Sequence, residues 1–288
     1  MSEGFITNGD VQIAFRDSGT GGRDIVLSHG VFANLEYFQP LVERLADRYR
    51  VVTYDLRGHG QSGAGPCSVR DHGGDLLALI GQLGLHRPFL VGVSYGAFVA
   101  LDAASGTPSV AGGVVNIDGP LVDRDDAAEL SPDHPKGAEL RASIRASIAL
   151  RPDQWSGSAD ELADRLSEVQ EEHRAFEARR YVEDGKGGYV QHPDLDTATD
   201  IVMAGYLAAE HYYGLLSVPA LVLVAAQSSV IFNDVPQRRA AAKRLAERRP
   251  GLDVRVIDGG HDLVSGNLDE VASAVSSWLQ AVTSIGSG

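Results

Sequence analysis

Short apolar runs alternate with segments of helical period along most of the chain, the pattern of a parallel sheet wrapped by helices. Strands are predicted at 11–15, Asp24–Ser28 (DIVLS), 51–54 (VVTY), 88–93 (PFLVGV) and Gly113–Ile117 (GVVNI). Helices are predicted at 35–45, 68–83 and 95–104. In 68–83, Val69, Leu76, Leu77, Ile80 and Leu83 share one face, and Ser68 with Asp71 resembles a capping arrangement at the start. The rhythm stops near residue 120. From there to 216 no strand run is evident. Leu140, Ile144 and Ile148 recur at helical spacing, as do Leu162, Leu166, Val169 and Phe176 behind a capping box at Ser158 and Glu161. A turn is expected at 184–188 (DGKGG) and a further helix at 198–213. Strands resume at Ala220–Ala225 (ALVLVA) and 253–257 (DVRVI), with a helix between them. A closing helix carries Leu268, Val271, Val275, Trp278, Leu279 and Val282 on one face. The expected fold is therefore α/β, a mostly parallel, doubly wound sheet built from 1–120 and 217–288. Residues 121–216 form a helical insertion between two of its strands.

Composition narrows the function classes. The 288 residues are 43% hydrophobic and 22% charged, which is globular rather than disordered. The net charge of −14 repels phosphate backbones and anionic lipid, so neither nucleic acid nor membrane is an expected partner. The longest apolar run, around 219–226, is too short to span a bilayer. The one cysteine, Cys67, allows no intrachain disulfide, and the N-terminal stretch shows no signal-peptide pattern. Both features fit a cytoplasmic setting. No histidine, cysteine or carboxylate spacing suggests a metal site, and no cofactor is implied. The 19–22 turn (GTGG) lacks the Lys-Ser or Lys-Thr of a phosphate loop. Oligomeric state leaves no mark on the sequence.

The chemistry concentrates at three glycine-flanked positions. Gly92-Val93-Ser94-Tyr95-Gly96 matches the nucleophile-elbow pattern G-x-S-x-G, directly after a buried strand and directly before a helix. Such a turn pushes the serine hydroxyl out above the sheet, and the flanking glycines let strand and helix approach closely. A serine nucleophile needs backbone N–H donors for the oxyanion. Tyr95 is placed to supply one, and Val31, in the His29-Gly30-Val31-Phe32 loop, the other. Gly259-Gly260-His261-Asp262 follows the last strand, where a histidine on a glycine turn can swing over the sheet edge as general base. Cys67, in a loop without a partner histidine, is not expected to be a nucleophile.

Taken together, strand–His29-Gly30, then 55–62 (DLRGHGQS), then Gly92-x-Ser94-x-Gly96, then Gly260-His261 resemble the α/β-hydrolase superfamily over about 10–120 and 217–283. The resemblance places 121–216 where that fold carries a helical cap. It implies that the 55–62 segment is structural, with Arg57 and His59 pinning loops. It also implies a triad acid. Many relatives carry it just after the strand equivalent to Ala220–Ala225, but here that stretch is Ala226-Gln227-Ser228-Ser229. Asp118 and Asp234 remain. Asp118 is the expected acid: it ends a strand on the catalytic edge of the sheet, 24 residues beyond Ser94, as in a subset of the superfamily whose later position is vacant. Asp234, 27 residues before His261, also matches the usual spacing, or caps a helix starting at Val235-Pro236.

The expected function is a serine hydrolase of the carboxylesterase or lactonase kind, cleaving a small to medium hydrophobic ester or lactone through an acyl-enzyme. Aromatics of the insertion, among them Trp155 and Tyr206, are expected to form its core, with one or two facing substrate. Two other readings stay open. One is cofactor-free carbon–carbon cleavage or oxygenation with His261 as base. The other is a ligand-binding module on the same fold.

Overall fold

A computed structural model describes residues 1–19, 21–119, 121, 134–149, 155–204, 210–228, 235–249 and 251–285. β1 (Ser2–Asn8) and β2 (Val11–Asp17) form a hairpin closed by Gly9-Asp10, with Asn8 paired to Val11. β3 (Asp24–Ser28) leads through a short 3-10 turn at Leu35–Phe38 into α1 (Gln39–Leu45). β4 (Arg50–Tyr54), α2 (Val69–Gln82), β5 (Phe89–Val93), α3 (Tyr95–Gly106) and β6 (Gly113–Ile117) follow. Ser68 and Asp71 close a reciprocal capping box at the start of α2, satisfying two amides that the helix itself leaves open.

After β6 come α4 (Pro135–Ala149), β7 (Ser156–Gly157), α5 (Ala159–Ser167), α6 (Glu171–Ala178), β8 (Tyr181–Glu183), β9 (Tyr189–Gln191), α7 (Leu195–Ala204) and α8 (Glu210–Leu215). The chain then re-enters the main sheet with β10 (Ala220–Ala225), α9 (Val235–Arg248), β11 (Leu252–Ile257), the single turn α10 (Leu263–Gly266) and α11 (Leu268–Ile285).

The main sheet has eight strands in the order β1-β2-β4-β3-β5-β6-β10-β11. Only the β1/β2 and β2/β4 pairings are antiparallel. Both faces are covered, which is why the central strands read as unbroken apolar runs. Along β3, Ile25 and Leu27 join one core layer and Val26 the other. The first layer packs under α1 and α11 through Leu41, Leu45, Val271 and Leu279. The second packs under α2, α3 and α9 through Leu76, Leu79, Val99, Ala241 and Leu245. Burying one such leucine stabilises the fold by about 1.5–3 kcal/mol relative to leaving it exposed. Among the described residues, no helix is long and apolar enough to cross a membrane.

Four features depart from the pattern read in the sequence. β1 was not foreseen, because its exposed edge carries only Phe5 and Ile6 as large apolar residues. The 121–216 stretch is not purely helical: β7, β9 and β8 form a three-stranded antiparallel sheet, whose strands of two or three residues are too short to show a period. The spacing Leu162 to Phe176 belongs to two helices, α5 and α6, not one. The 198–213 helix begins at Leu195 and is described as α7 and α8, with 205–209, including Tyr206, outside the described residues.

Candidate active site

Ser94 stands between β5 and α3 with φ 53° and ψ −119°, a left-handed backbone unusual for a side-chain-bearing residue. The turn is tight enough that its glycines are obligatory. A Cβ at Gly92 would enter the Gly96–Ala97 backbone, and one at Gly96 would enter the carbonyls of Ser28 and His29. The strain lifts the Ser94 hydroxyl onto the carboxyl edge of the sheet, at the N-terminus of α3, where the helix dipole favours developing negative charge.

His261 approaches from the β11–α10 turn. Its Nε2 lies 3.0 Å from Ser94 Oγ and its Nδ1 lies 2.6 Å from Asp118 Oδ2. A carboxylate only accepts, so Nδ1 carries the proton and Nε2 offers its lone pair to the serine hydroxyl. Asp118 directly follows β6, in a left-handed conformation (φ 47°). Its side chain is fully buried, while that of His261 is 39% exposed and so open to a substrate. Asp118 is held from both ends: its N–H donates to Leu223 O (2.8 Å), and its Oδ1 accepts from the Ala225 N–H (2.9 Å). The next residue, Gly119, donates to Asn116 Oδ1 at 2.6 Å, and Asn116 in turn donates to the Tyr213 hydroxyl. Asp234 lies outside the described residues.

The β3 loop passes beside the serine. A Cβ at Gly30 would lie 3.2 Å from Ser94 Cβ, so Val31 begins next to the nucleophile. His29 fixes this loop: its Nδ1–H donates to Gly30 O (2.8 Å) and its Nε2 accepts from the Leu56 N–H (3.0 Å). Tyr95 opens α3, and its hydroxyl donates to His72 Nδ1 at 2.8 Å. Burial pushes the Tyr95 phenol well above its ordinary value and lowers His72 to about 4, so this pair stays neutral.

Arg57 and His59 lie where pinning residues would. Arg57 binds the buried Asp75 with two hydrogen bonds (2.6 and 2.7 Å), and His59 Nδ1–H donates to Arg57 O. Burial raises the Cys67 thiol to about 11, leaving it mostly protonated. Several supporting residues escaped the sequence. Ser228 Oγ sits 3.4 Å from His261 Nδ1, in the turn after β10 where the resemblance led an acid to be expected. Tyr37 donates to Asp262, beside His261, at 2.6 Å. Position within the acid-bearing turn was a signal for Ser228; Tyr37 had none.

The comparisons with known proteins agree with this architecture. A family model described as "alpha/beta hydrolase fold" matches residues 25–267, and the chain belongs to that family. It is 31% identical to the sn-1-specific diacylglycerol lipase ABHD11 of Mus musculus over 268 residues, 88% of this chain and 80% of that protein. It is 31% identical over 141 residues to 2-(acetamidomethylene)succinate hydrolase of Mesorhizobium japonicum, covering 48% of this chain. That match spans half the length of the relative, and other curated relatives, named as putative carbamate hydrolases, are spanned over 33–39% of theirs. The crystal structure of E-2-(acetamidomethylene)succinate hydrolase superposes with a TM-score of 0.75 at 21% identity, covering 97% of this chain and 99% of that one.

Proposed function

We propose that this chain is a serine hydrolase that cleaves a small to medium hydrophobic ester or lactone through an acyl-enzyme. The observation that carries the reading is the unbroken hydrogen-bonded line Ser94–His261–Asp118 at a strained strand–helix elbow. Ser94 Oγ attacks the carbonyl carbon while His261 Nε2 takes its proton. Asp118 keeps the imidazole in the required tautomer and steadies its positive charge. The Val31 and Tyr95 N–H groups receive the oxyanion. His261 then protonates the leaving oxygen, and water, activated by the same histidine, releases the acid and frees Ser94.

The apolar preference is supported by the surroundings of the β3 loop. Val31 and Phe32 pack against Ile144 and Ile148 of α4 and Ala198, Val202 and Met203 of α7. In this reading 1–120 and 217–288 are the catalytic core and 121–216 the cap over it, in a cytoplasmic protein. The relatives' names, a lipase and a hydrolase, favour hydrolysis.

The test is covalent labelling with a fluorophosphonate, located by peptide mass spectrometry, beside a screen of para-nitrophenyl esters of graded length and a few lactones. Rapid modification of Ser94 with ester turnover is the expected result. Slow labelling without turnover would replace the acyl-enzyme with a histidine-base reaction or a binding role.

A further inference from the structure

We propose that Arg179, in the segment between β6 and β10, is a positioning residue for the 29–34 loop, acting through the buried carboxylate of Asp55. The catalytic consequence rests on the serine-hydrolase reading; the linkage itself rests on geometry alone.

Asp55 directly follows β4 and its side chain has no solvent exposure. Its two oxygens gather three donors from three different parts of the chain. Oδ1 accepts the Leu35 N–H at 2.8 Å. Oδ2 accepts the Gln61 N–H at 2.8 Å and Arg179 Nε at 2.8 Å. Leu35 is the residue at which the Val31-bearing loop ends and the 3-10 turn begins. Arg179 lies 124 residues along the chain from Asp55, just past α6. One carboxylate therefore joins the loop proposed to hold the oxyanion to the inserted segment.

Two features show that the junction is built rather than incidental. A Cβ at Gly60 would overlap the Asp55 carboxylate, so the 58–61 turn is shaped to fit around it. The same two surfaces are also stitched independently. Asn34 Nδ2 donates to Phe176 O at 2.9 Å, and Gln61 Nε2 donates to the carbonyls of Arg179 (3.4 Å) and Tyr181 (3.3 Å). Arg179 itself is 12% exposed; its second ion pair, to the half-exposed Glu3, is long at 3.8 Å, so the 2.8 Å contact with the fully buried Asp55 is the closer of the two.

The consequence follows from charge. A buried carboxylate with a guanidinium partner can hold two backbone amides in place. Without the partner it must take up a proton or draw in water, and either change weakens its grip on Leu35 and Gln61. The loop carrying Val31 then loses its fixed end. Donors to an oxyanion act only when they are fixed in place beforehand, and small displacements are costly in rate.

Arg179→Met keeps the alkyl stem and removes the charge. Amide exchange, read by mass spectrometry, should speed up about tenfold at Leu35 and Gln61, a local opening rather than a global one. Fluorophosphonate labelling of Ser94 and kcat on para-nitrophenyl acetate should both fall by about 10- to 100-fold, with KM changed by less than about threefold. Arg179→Lys should recover most of the loss. Arg145→Met, which cuts an exposed ion pair with Asp196 inside the same segment, should leave exchange and labelling as in the wild type. If Arg179→Met fails to fold, Arg179→Met/Asp55→Asn removes both charges. It should still show fast exchange at Leu35 or Gln61, because an amide side chain offers one acceptor oxygen where the carboxylate holds the two amides on two. Unchanged exchange at Leu35 and Gln61, or a loss confined to KM on long esters, overturns the proposal. A wild-type protein that resists labelling overturns the serine-hydrolase reading instead, and the exchange data still decide the linkage.

Discussion

Tyr37 and Asp262 are joined by a 2.6 Å hydrogen bond that ties the turn after the Val31 loop to the residue following His261. Asp262 Oδ1 also accepts the Ser265 N–H, closing the first turn of α10 behind the histidine. Burial and the neighbouring carboxylate push the Tyr37 phenol far above its ordinary value, so it remains a donor at any pH the protein meets. The proposed general base and the proposed oxyanion loop therefore share one brace.

Tyr37→Phe removes that brace, together with the hydroxyl's contact to the Val264 backbone N–H in the same turn. The loss of a hydrogen bond to a charged acceptor costs about 1.5–3 kcal/mol where it is well shielded, and less here because Asp262 is exposed. Thermal melting should show a modest drop. The informative reading is kinetic: kcat on a small ester should fall several-fold with KM unchanged, as His261 samples orientations away from Ser94. A variant with unchanged kcat would reduce Tyr37 to a structural contact.

The strands β3, β5, β6 and β10 were legible because strands covered on both faces are short apolar runs with sharp ends. Ser94 and His261 were legible because each needs glycine neighbours to reach the sheet edge, and glycine patterns are local. Asp118 could be named because it ends one of those strands. The supporting contacts were not legible. Tyr37 and Asp262 are 225 residues apart, and Asp55 and Arg179 are 124 apart. Each of these side chains looks like an ordinary polar surface residue until the chain is folded. The three-stranded sheet of β7–β9 was hidden for a different reason: its strands are shorter than one alternation of inward and outward positions.

Stability should fall as pH drops below neutral. His29 is lowered to about 3, His72 to about 4, and His59 well below its ordinary value, in each case chiefly by burial. In the unfolded chain each takes a proton near pH 6.5. Below that value the unfolded state binds more protons, so each histidine removes up to about 1.4 kcal/mol of stability per pH unit. For His72 the loss continues down to about pH 4, where the folded imidazole also protonates. The Asp55 carboxyl, raised by burial, acts in the opposite sense, because the folded state then binds its proton more readily. Urea melts between pH 7.5 and 5 should show the decline. His72→Asn, which keeps an acceptor near the Tyr95 hydroxyl, should reduce the slope. An unaltered slope in that variant would mean that His72 does not titrate differently on unfolding.

Replacing Ser94 separates strain from chemistry. Its φ of 53° is a conformation that costs a non-glycine residue of order 1–3 kcal/mol. Ser94→Gly relieves that cost but gives back about 0.5–1 kcal/mol in backbone entropy. The net gain of about 1 kcal/mol should raise the melting temperature by roughly 2–4 °C. Ser94→Ala keeps the Cβ and should melt as the wild type does. Both variants should lose ester turnover, retaining at most about 10³–10⁴ over the uncatalysed rate from the oxyanion donors and binding. An alanine variant with more than about a tenth of wild-type activity contradicts the acyl-enzyme route.

The decisive substitution is Asp118→Asn. The carboxylate is fully buried and accepts both the His261 Nδ1–H and the Ala225 N–H, and its backbone N–H is bonded to Leu223. Asparagine fits the same space, so the fold should survive. It offers His261 either an uncharged acceptor or an N–H that faces the wrong tautomer. In both cases the imidazolium formed during attack loses its counter-charge, and turnover should fall by about 10⁴. Ser228 cannot compensate: its hydroxyl is 3.4 Å from Nδ1, a long contact, and it carries no charge. Ser228→Asp in the Asp118→Asn background would put a carboxylate within reach of the same nitrogen, and about tenfold or more of the lost rate should return if charge near Nδ1 is what the site needs. Asp234→Asn should cost at most about a few-fold, as expected of a helix cap. The opposite ranking, with Asp234→Asn severely impaired and Asp118→Asn nearly active, would move the acid to the turn after β10 and leave Asp118 as a buried strand-end residue that only braces Ala225.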